Sequence, residues 1–496
     1  MASPASLPRA LLVYLIVIPL ALFLGYLLTT PMDFQTAMVV SLVFLVLLTP
    51  VLIQSHQAVL IFAWNAHIVL GFLPGAMPLY VVMVPLSLGF TVLNRILSRE
   101  TRLVHVPSVS WSLAAIALVV LLTAKLRGGI GFGSLGGGSS GGRYYVLLLS
   151  AIIGYWAISL NPIPLRKAVG ALRLFYLSNL TAVVSNLALL AGPSFYFLYS
   201  FFPVDTAIMQ YTGMMSDVGL VRIGGLSAAA LGILYYLLAR HGLQGLLSFS
   251  APRATLVFLA AIVLLPMGGF RSALVGAGLT MFLQFFVEGL HRTKYLAYAL
   301  GLLILGGALL VPLAPHLPLS VQRALSILPL NVDPVAKLDA KASSEWRFEM
   351  WRYMLPDLPN YFWVGRGLSM NLSDVYLAEH ARMKGLARDF EAHMLAGNYH
   401  SGPLSLYVGF GMPGVVTFVW FLIVSTRLVY RNWRYGPPEL RNVNSFILAY
   451  SIGHIPFFIL VFGAFDTQMY HFTGPVALSV ALNGGMRGPA RPGESP

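Results

Sequence analysis

The sequence predicts an all-α polytopic membrane protein of about fourteen transmembrane helices with one large extramembrane loop, and three observations support that class. Of 496 residues, 57% are hydrophobic and only 10% charged, with a mean hydropathy of +0.78. Apolar windows of about 20 residues, the length a helix needs to cross a bilayer core, recur from end to end. The basic residues behind the net charge of +14 gather between alternate windows. With no cysteine in the chain, disulfides, a thiol nucleophile and a thiolate metal site are excluded.

Taken in order, the first seven windows run from Leu11 to Leu28, Ala37 to Ile53, Ala58 to Leu73, Met77 to Leu93, Val109 to Ala124, Tyr145 to Leu160 and Val169 to Leu190. Seven more run from Leu220 to Ala239, Ala254 to Met267, Ser272 to Val287, Tyr295 to Leu313, Leu404 to Ser425, Phe446 to Phe462 and Tyr470 to Leu482. The first is long, lacks a clear small-residue cleavage site and leads into further spans, so it is kept as a span rather than a signal peptide. The apolar run from Ala254 to Val287 is too long for one crossing, and Gly268-Gly269 supplies a hairpin tip that divides it. With both termini on the inner side, that face collects Arg9, Arg95, Arg99, Arg102, Arg166, Lys167, Arg173, Arg240, Arg253, Arg292, Lys294, Arg427, Arg431, Arg434, Arg441, Arg487 and Arg491. Only Glu100, Glu288, Glu439 and Glu494 oppose them, so the basic balance records topology and not a nucleic-acid footprint.

The chain divides into an N-terminal bundle (1–219), spans carrying outward arginines (220–313), an outward loop (314–399), C-terminal spans (400–486) and an inner tail (487–496). A glycine-rich outward segment, 125–143, offers Gly-x-Gly spacings, but no strand precedes it, so it reads as a connector rather than a phosphate cradle. The loop 314–399 has equal numbers of basic and acidic residues and a mixed, solvated surface. Within it, Ser344 to Leu355 reads as an amphipathic helix with Trp346, Met350 and Tyr353 on one face, expected to lie against the bilayer. Pro356 and Pro359 then stop it, and Val364-Gly365-Arg366-Gly367 makes a turn.

The same topology gathers ionisable groups on the outward face. Arg222 opens one span, Arg271 sits at the hairpin tip, Arg347 is on the loop helix, and His400 precedes Ser401-Gly402-Pro403-Leu404 at the start of another. Asp466 and His471 lie at the final outward turn. Guanidinium groups converging on one face suit bidentate phosphate binding. An imidazole, whose ordinary pKa is about 6.5, can accept a proton near neutral pH. No Asp-x-Asp pair outside the membrane and no His-x-x-x-His spacing supports a divalent-metal site.

These parts resemble the bacterial O-antigen ligase and O-antigen polymerase superfamily of integral-membrane glycan transferases, over roughly Leu220 to Leu428. Arg222-Ile223-Gly224-Gly225 is similar to its Arg-x-x-Gly opening of a span, and Gly269-Phe270-Arg271-Ser272-Ala273 to its short outward turn. Glu345-Trp346-Arg347 with Trp351, and the later Gly365-Arg366-Gly367, resemble its loop helix and glycine turn. His400-Ser401-Gly402-Pro403-Leu404 resembles its His-[Asn/Ser]-x-x-Leu element, followed by Gly409 to Gly414 as a glycine-rich helix. Phe270 replaces the usual small hydroxyl residue, and Ser401 stands where asparagine is common.

The resemblance implies a GT-C-like membrane fold and transfer of a glycan from undecaprenyl-pyrophosphate to an acceptor sugar hydroxyl at the outer face of the bacterial cytoplasmic membrane, with inversion and without metal or cofactor. In that scheme His400 is the general base, and Arg222, Arg271 and Arg347 hold the pyrophosphate. Arg366, Ser401, Tyr407 and Asp466 are candidate substrate contacts. The expected partners are the lipid-linked donor, a glycan acceptor on a lipid-anchored core or a lipid-linked repeat, and membrane lipid. The sequence does not separate ligase from polymerase. A transporter or flippase would use midplane polar residues such as His454, Asn186 and Asn65. A metal-dependent lipid-sugar transferase would want paired early acids, where only Asp33 stands.

Overall fold

The computed structural model describes residues 17, 18, 21, 25, 34–71, 73, 75–97, 103–127, 141–203, 223–388 and 390–489. Most of the first expected span, the glycine-rich stretch 128–140, and Asp205, Asp217 and Arg222 lie outside the described residues. Helices dominate: α1 (Phe34–Asn65), α2 (Leu79–Leu97), α3 (Pro107–Arg127), α4 (Gly142–Ser159), α5 (Leu165–Leu177) and α6 (Val183–Ala191) form the first half. They are followed by α7 (Gly224–Leu247), α8 (Pro252–Leu264), α9 (Arg271–Val287) and α10 (Tyr295–Leu313). The loop carries α11 (Leu319–Leu325), α12 (Pro334–Met354), α13 (Leu372–Met383) and α14 (Glu391–Leu395), and the chain ends in α15 (Gly402–Tyr435), α16 (Arg441–Pro456) and α17 (Phe465–Asn483). Among the described residues, seven helical segments are long and apolar enough to cross a membrane, and Pro252–Gly268 and Arg271–Val287 are shorter apolar helices.

The second and third expected spans are not separate. Residues 34–65 form one continuous helix, because the polar stretch expected to turn the chain finds partners inside the bundle. Ser55 donates to the Val51 carbonyl, His56 Nδ1 meets Ser87 Oγ at 2.8 Å, and Gln57 Nε2 donates to the carbonyls of Ile158 and Asn161. Polar groups satisfied in this way do not need water, so they do not break the helix. The chain instead turns after Asn65, in a two-stranded antiparallel hairpin of β1 (Val69–Leu70) and β2 (Met77–Pro78). The seventh expected span is α5 and α6 joined by a 3₁₀ turn, Ser178–Ala182.

The hairpin tip at Gly268-Gly269 is where the sequence placed it. Gly269 adopts φ +75° and α9 starts at Arg271. A Cβ on Gly268 would meet Ser227 Oγ and the Ile223 carbonyl, so only glycine lets the tip sit against the start of α7. Helix α4 packs along α17, α3 along α15, and α9 along α16 and α7, which builds one apolar core. Helix α10 has no buried residue, which suits a helix surrounded by lipid.

The ends of the last three helices that lie away from His400 are zipped by amides. Asn444 Nδ2 donates to the Asn432 carbonyl and to Asn483 Oδ1, Asn483 Nδ2 returns a bond to Asn444 Oδ1, and Asn432 Nδ2 reaches Ser479 Oγ. All three asparagines are buried, so removing one strands its partners without water. Asn444→Ala is expected to cost about 1–3 kcal/mol. A thermal melt of the detergent-purified variant should show the lowered midpoint, and an unchanged midpoint would contradict the zipper.

Candidate functional site

His400 is built into a strained corner between the loop and α15. Its φ is +50°, a left-handed conformation uncommon outside glycine, and it directly precedes the helix cap Ser401. Ser401 Oγ accepts from the Leu404 amide at 3.4 Å, a capping role. The corner is held from behind, where Trp351 Nε1 donates to the Tyr399 carbonyl at 2.8 Å.

Three rings enclose the imidazole. Trp346 meets it edge-on with centroids 5.1 Å apart, Phe462 lies at 5.4 Å, and His393 lies at 5.7 Å while stacking on Trp346. Both ring nitrogens of His400 are buried and make no hydrogen bond within the protein. Burial first, then the Arg347 guanidinium and His393, push the pKa of His400 down to about 3. The near-neutral titration expected from an isolated histidine is therefore not what this enclosure gives, and at pH 7 the ring is neutral.

Helix α12 brings the arginines to the same place. It is longer than expected, beginning at Pro334 with Asp333 capping the Val335 amide. Part of its apolar stripe is covered within the protein, while Tyr353 stays exposed. Met350 and Met354 are buried against Phe390, Tyr399 and Val408, with Trp346 and Trp351 alongside, in a small core that belongs to the loop. Ser344, one turn before Trp346 and Arg347, accepts a 3.3 Å bond from Arg271 Nη2 at the hairpin tip. One turn of α12 thus gathers Arg271, Arg347 and His400.

The remaining loop is docked by a break in α15. Gly411, at φ +65°, and Pro413 interrupt the helix, so the Gly409 carbonyl, whose next-turn partner is a proline, needs another donor. Gly367 donates to it at 3.0 Å, Arg366 donates its backbone amide to Val408 at 2.8 Å, and Met412 donates to Phe362. A Cβ on Gly365 would lie 2.2 Å from the Gly409 backbone. Arg127, at the end of α3, donates to the carbonyls of Gly365 and Val364, and Tyr145 Oη accepts from the Leu368 amide. Gly365→Ala is expected to undock the segment at a cost of about 2–5 kcal/mol. Faster limited proteolysis of the loop would report it, and wild-type resistance would count against this docking.

Residues 256–419 match the family described as O-antigen ligase. That match, across about a third of the chain, supports the O-antigen ligase and polymerase superfamily. The matched O-antigen ligase segment runs from α8 through the loop into α15, and so contains Arg271, Arg347, Arg366, His400, Ser401 and Tyr407 but not Asp466. A comparison of the whole sequence with curated proteins finds no match.

Other expected contacts in and beyond the O-antigen ligase segment behave differently. Arg366 engages protein: Nη1 donates to the Met394 carbonyl and Tyr399 Oη, and Nη2 to the carbonyls of Ser369 and Leu395. It ties down the segment leading to His400. Asp466, near the start of α17, lines a small cavity with Tyr144, Arg366 and Gly397 and does not touch the His400 ring enclosure. Tyr407 is half-buried on the second turn of α15 and lines neither that cavity nor the large one below.

Sequence reasoning missed Arg323, His393 and the large cavity. Arg323 is 4% exposed, ion-paired with Asp339, and donates through Nη1 to the Gly269 carbonyl at 2.7 Å, so it ties the loop to the hairpin tip. No local pattern links Arg323 to a glycine 54 residues earlier. A cavity of about 550 Å³ opens beneath the site, between α7, α9, α16 and α17. Phe270 and Ser272, on either side of Arg271, line it, as does Phe462, which touches His400. Gln468 and His454 line it, and Gln468 Oε1 and His454 Nε2 have no hydrogen-bond partner among the described residues, whereas Asn65 Nδ2 donates to the Phe175 carbonyl.

Proposed function

We propose that the protein transfers a glycan from undecaprenyl-pyrophosphate to an acceptor hydroxyl at the outer face of the bacterial cytoplasmic membrane, with His400 as general base. The superfamily supports O-antigen ligase or polymerase-type glycan transfer. The observation that carries the finer reading is the enclosed imidazole, neutral, without a hydrogen-bond partner among the described residues, and beside Arg347, with Arg271 tied to the same helix through Ser344. A buried, unpaired polar group costs free energy, and the imidazole gains its missing partner when an acceptor hydroxyl enters.

In this reading Arg271 and Arg347 bind the pyrophosphate and stabilise the charge that develops on it as the anomeric C–O bond breaks. Arg222, which opens α7's approach to the hairpin tip in sequence, is assigned the same role. The acceptor oxygen attacks from the opposite side, His400 takes its proton, and the anomeric configuration inverts. The large apolar cavity takes the start of the prenyl chain. Bound pyrophosphate offsets the repulsion that Arg347 exerts on a charged His400, so seating the donor raises the proton affinity of the base just when it is needed.

This has a pH signature. A base whose free pKa lies far below 6.5 remains active as pH falls through 6.5, so the acidic limb of kcat/KM, which reports the free enzyme, should lie well below that value. The limb of kcat, which reports the loaded enzyme, should lie higher. Steady-state profiles on purified protein with a lipid-pyrophosphate-linked glycan check both, and a kcat/KM limb at or above 6.5 would contradict the enclosure of His400.

A further inference from the structure

At the opposite end of the bundle a second cavity, of about 560 Å³, lies between the ends of α7, α9 and α15 and the start of α16. Arg434 and Arg441 line it from either side of the Gly436-Pro437-Pro438 turn, together with Trp433, Gln244 and Ser445. Ser445 is only 3% exposed. Among the described residues no hydrogen bond or ion pair engages Arg434, Arg441 or the Ser445 hydroxyl. The one carboxylate in the wall, Glu288, is occupied elsewhere: its oxygens accept from the backbone amides of Leu243 and Gln244 and from Gln284 Nε2. Arg441 is close enough to Glu288 to act on it electrostatically, but no ion pair joins them.

We infer that this inner-face cavity binds an anionic phosphate ester, with Arg434 and Arg441 as the cationic ligands and Ser445 and Gln244 as neutral donors. Two guanidinium groups flanking a rigid turn suit a phosphate, which accepts several donors at once. A basic pocket between transmembrane helices at the lysine- and arginine-rich face is placed to meet the headgroups of anionic phospholipids. Trp433 and Val287 give its wall an apolar side for a lipid's glycerol and upper chain. The same donors would accept a soluble phosphate ester, and the experiment separates the two sources. The inference does not depend on the glycan-transfer reading.

The test uses delipidated full-length protein in detergent, titrated with phosphatidylglycerol or phosphatidylcholine and followed by native mass spectrometry, with glycerol phosphate as a soluble competitor. Phosphatidylglycerol is expected to bind in preference to phosphatidylcholine, and the Arg434→Gln/Arg441→Gln variant to lose about 30-fold in affinity for it. The control pair Arg166→Gln/Lys167→Gln, on the same face but outside the cavity, should keep wild-type binding. If glycerol phosphate binds instead of the lipid, and does so only with both arginines present, the phosphate-ester site stands and its source is soluble. Equal binding by wild type and the Arg434/Arg441 variant, or an equal loss in the control pair, overturns the site.

Discussion

Replacing His400 with asparagine is expected to lower the transfer rate about 10²–10⁴-fold while membrane insertion and donor binding persist. Asparagine is the informative replacement because, like histidine, it tolerates the left-handed backbone that position 400 requires, so the Ser401 cap and the start of α15 should survive. His400→Ala removes the base as well, but a β-carbon without a compensating polar group gives no such backbone tolerance. Transfer rates on purified, reconstituted protein decide the matter. A near-normal rate for either variant would mean that another group accepts the acceptor's proton, or that the hydroxyl needs no base.

Replacing Arg347 with alanine is expected to cost about 10²–10³-fold in turnover, the scale of one lost charge-stabilising donor. A second effect separates this from mere damage to α12. Arg347 is one of the charges that hold His400 in its neutral form, so removing it should move the acidic limb of kcat/KM upward, toward the ordinary histidine range. The sign follows from electrostatics: a nearby cation disfavours imidazolium, and its loss lets the proton bind at higher pH. A variant that loses turnover with its acidic limb unmoved would place Arg347 away from the base.

Much of the architecture was legible from composition and charge alone. The hairpin division at Gly268-Gly269 followed from a run too long for one crossing. What the sequence hid was hidden by partners. The break expected between Ile53 and Ala58 is absent because His56 and Gln57 make their hydrogen bonds to residues 31 to 104 positions away, outside any local window. The stripe of α12 pointed toward lipid because the Phe390 and Tyr399 that cover part of it come from a segment with no apolar run of its own. A guanidinium in a glycine turn invites an anion, and no local pattern in the sequence reveals the four loop acceptors that Arg366 bonds. At the site, residue types and order named His400, Arg271 and Arg347. Only the fold showed His393 and Trp346 as the walls that keep the imidazole neutral.

The claim that base and guanidinium act in a single pocket is tested most directly by a double-mutant cycle on transfer rate, comparing wild type, His400→Asn, Arg347→Ala and the double variant on the lipid-pyrophosphate-linked donor. Groups working on one transition state are non-additive, so the double variant should be little slower than the slower single variant. Losses that multiply fully, as for two independent sites, would contradict it.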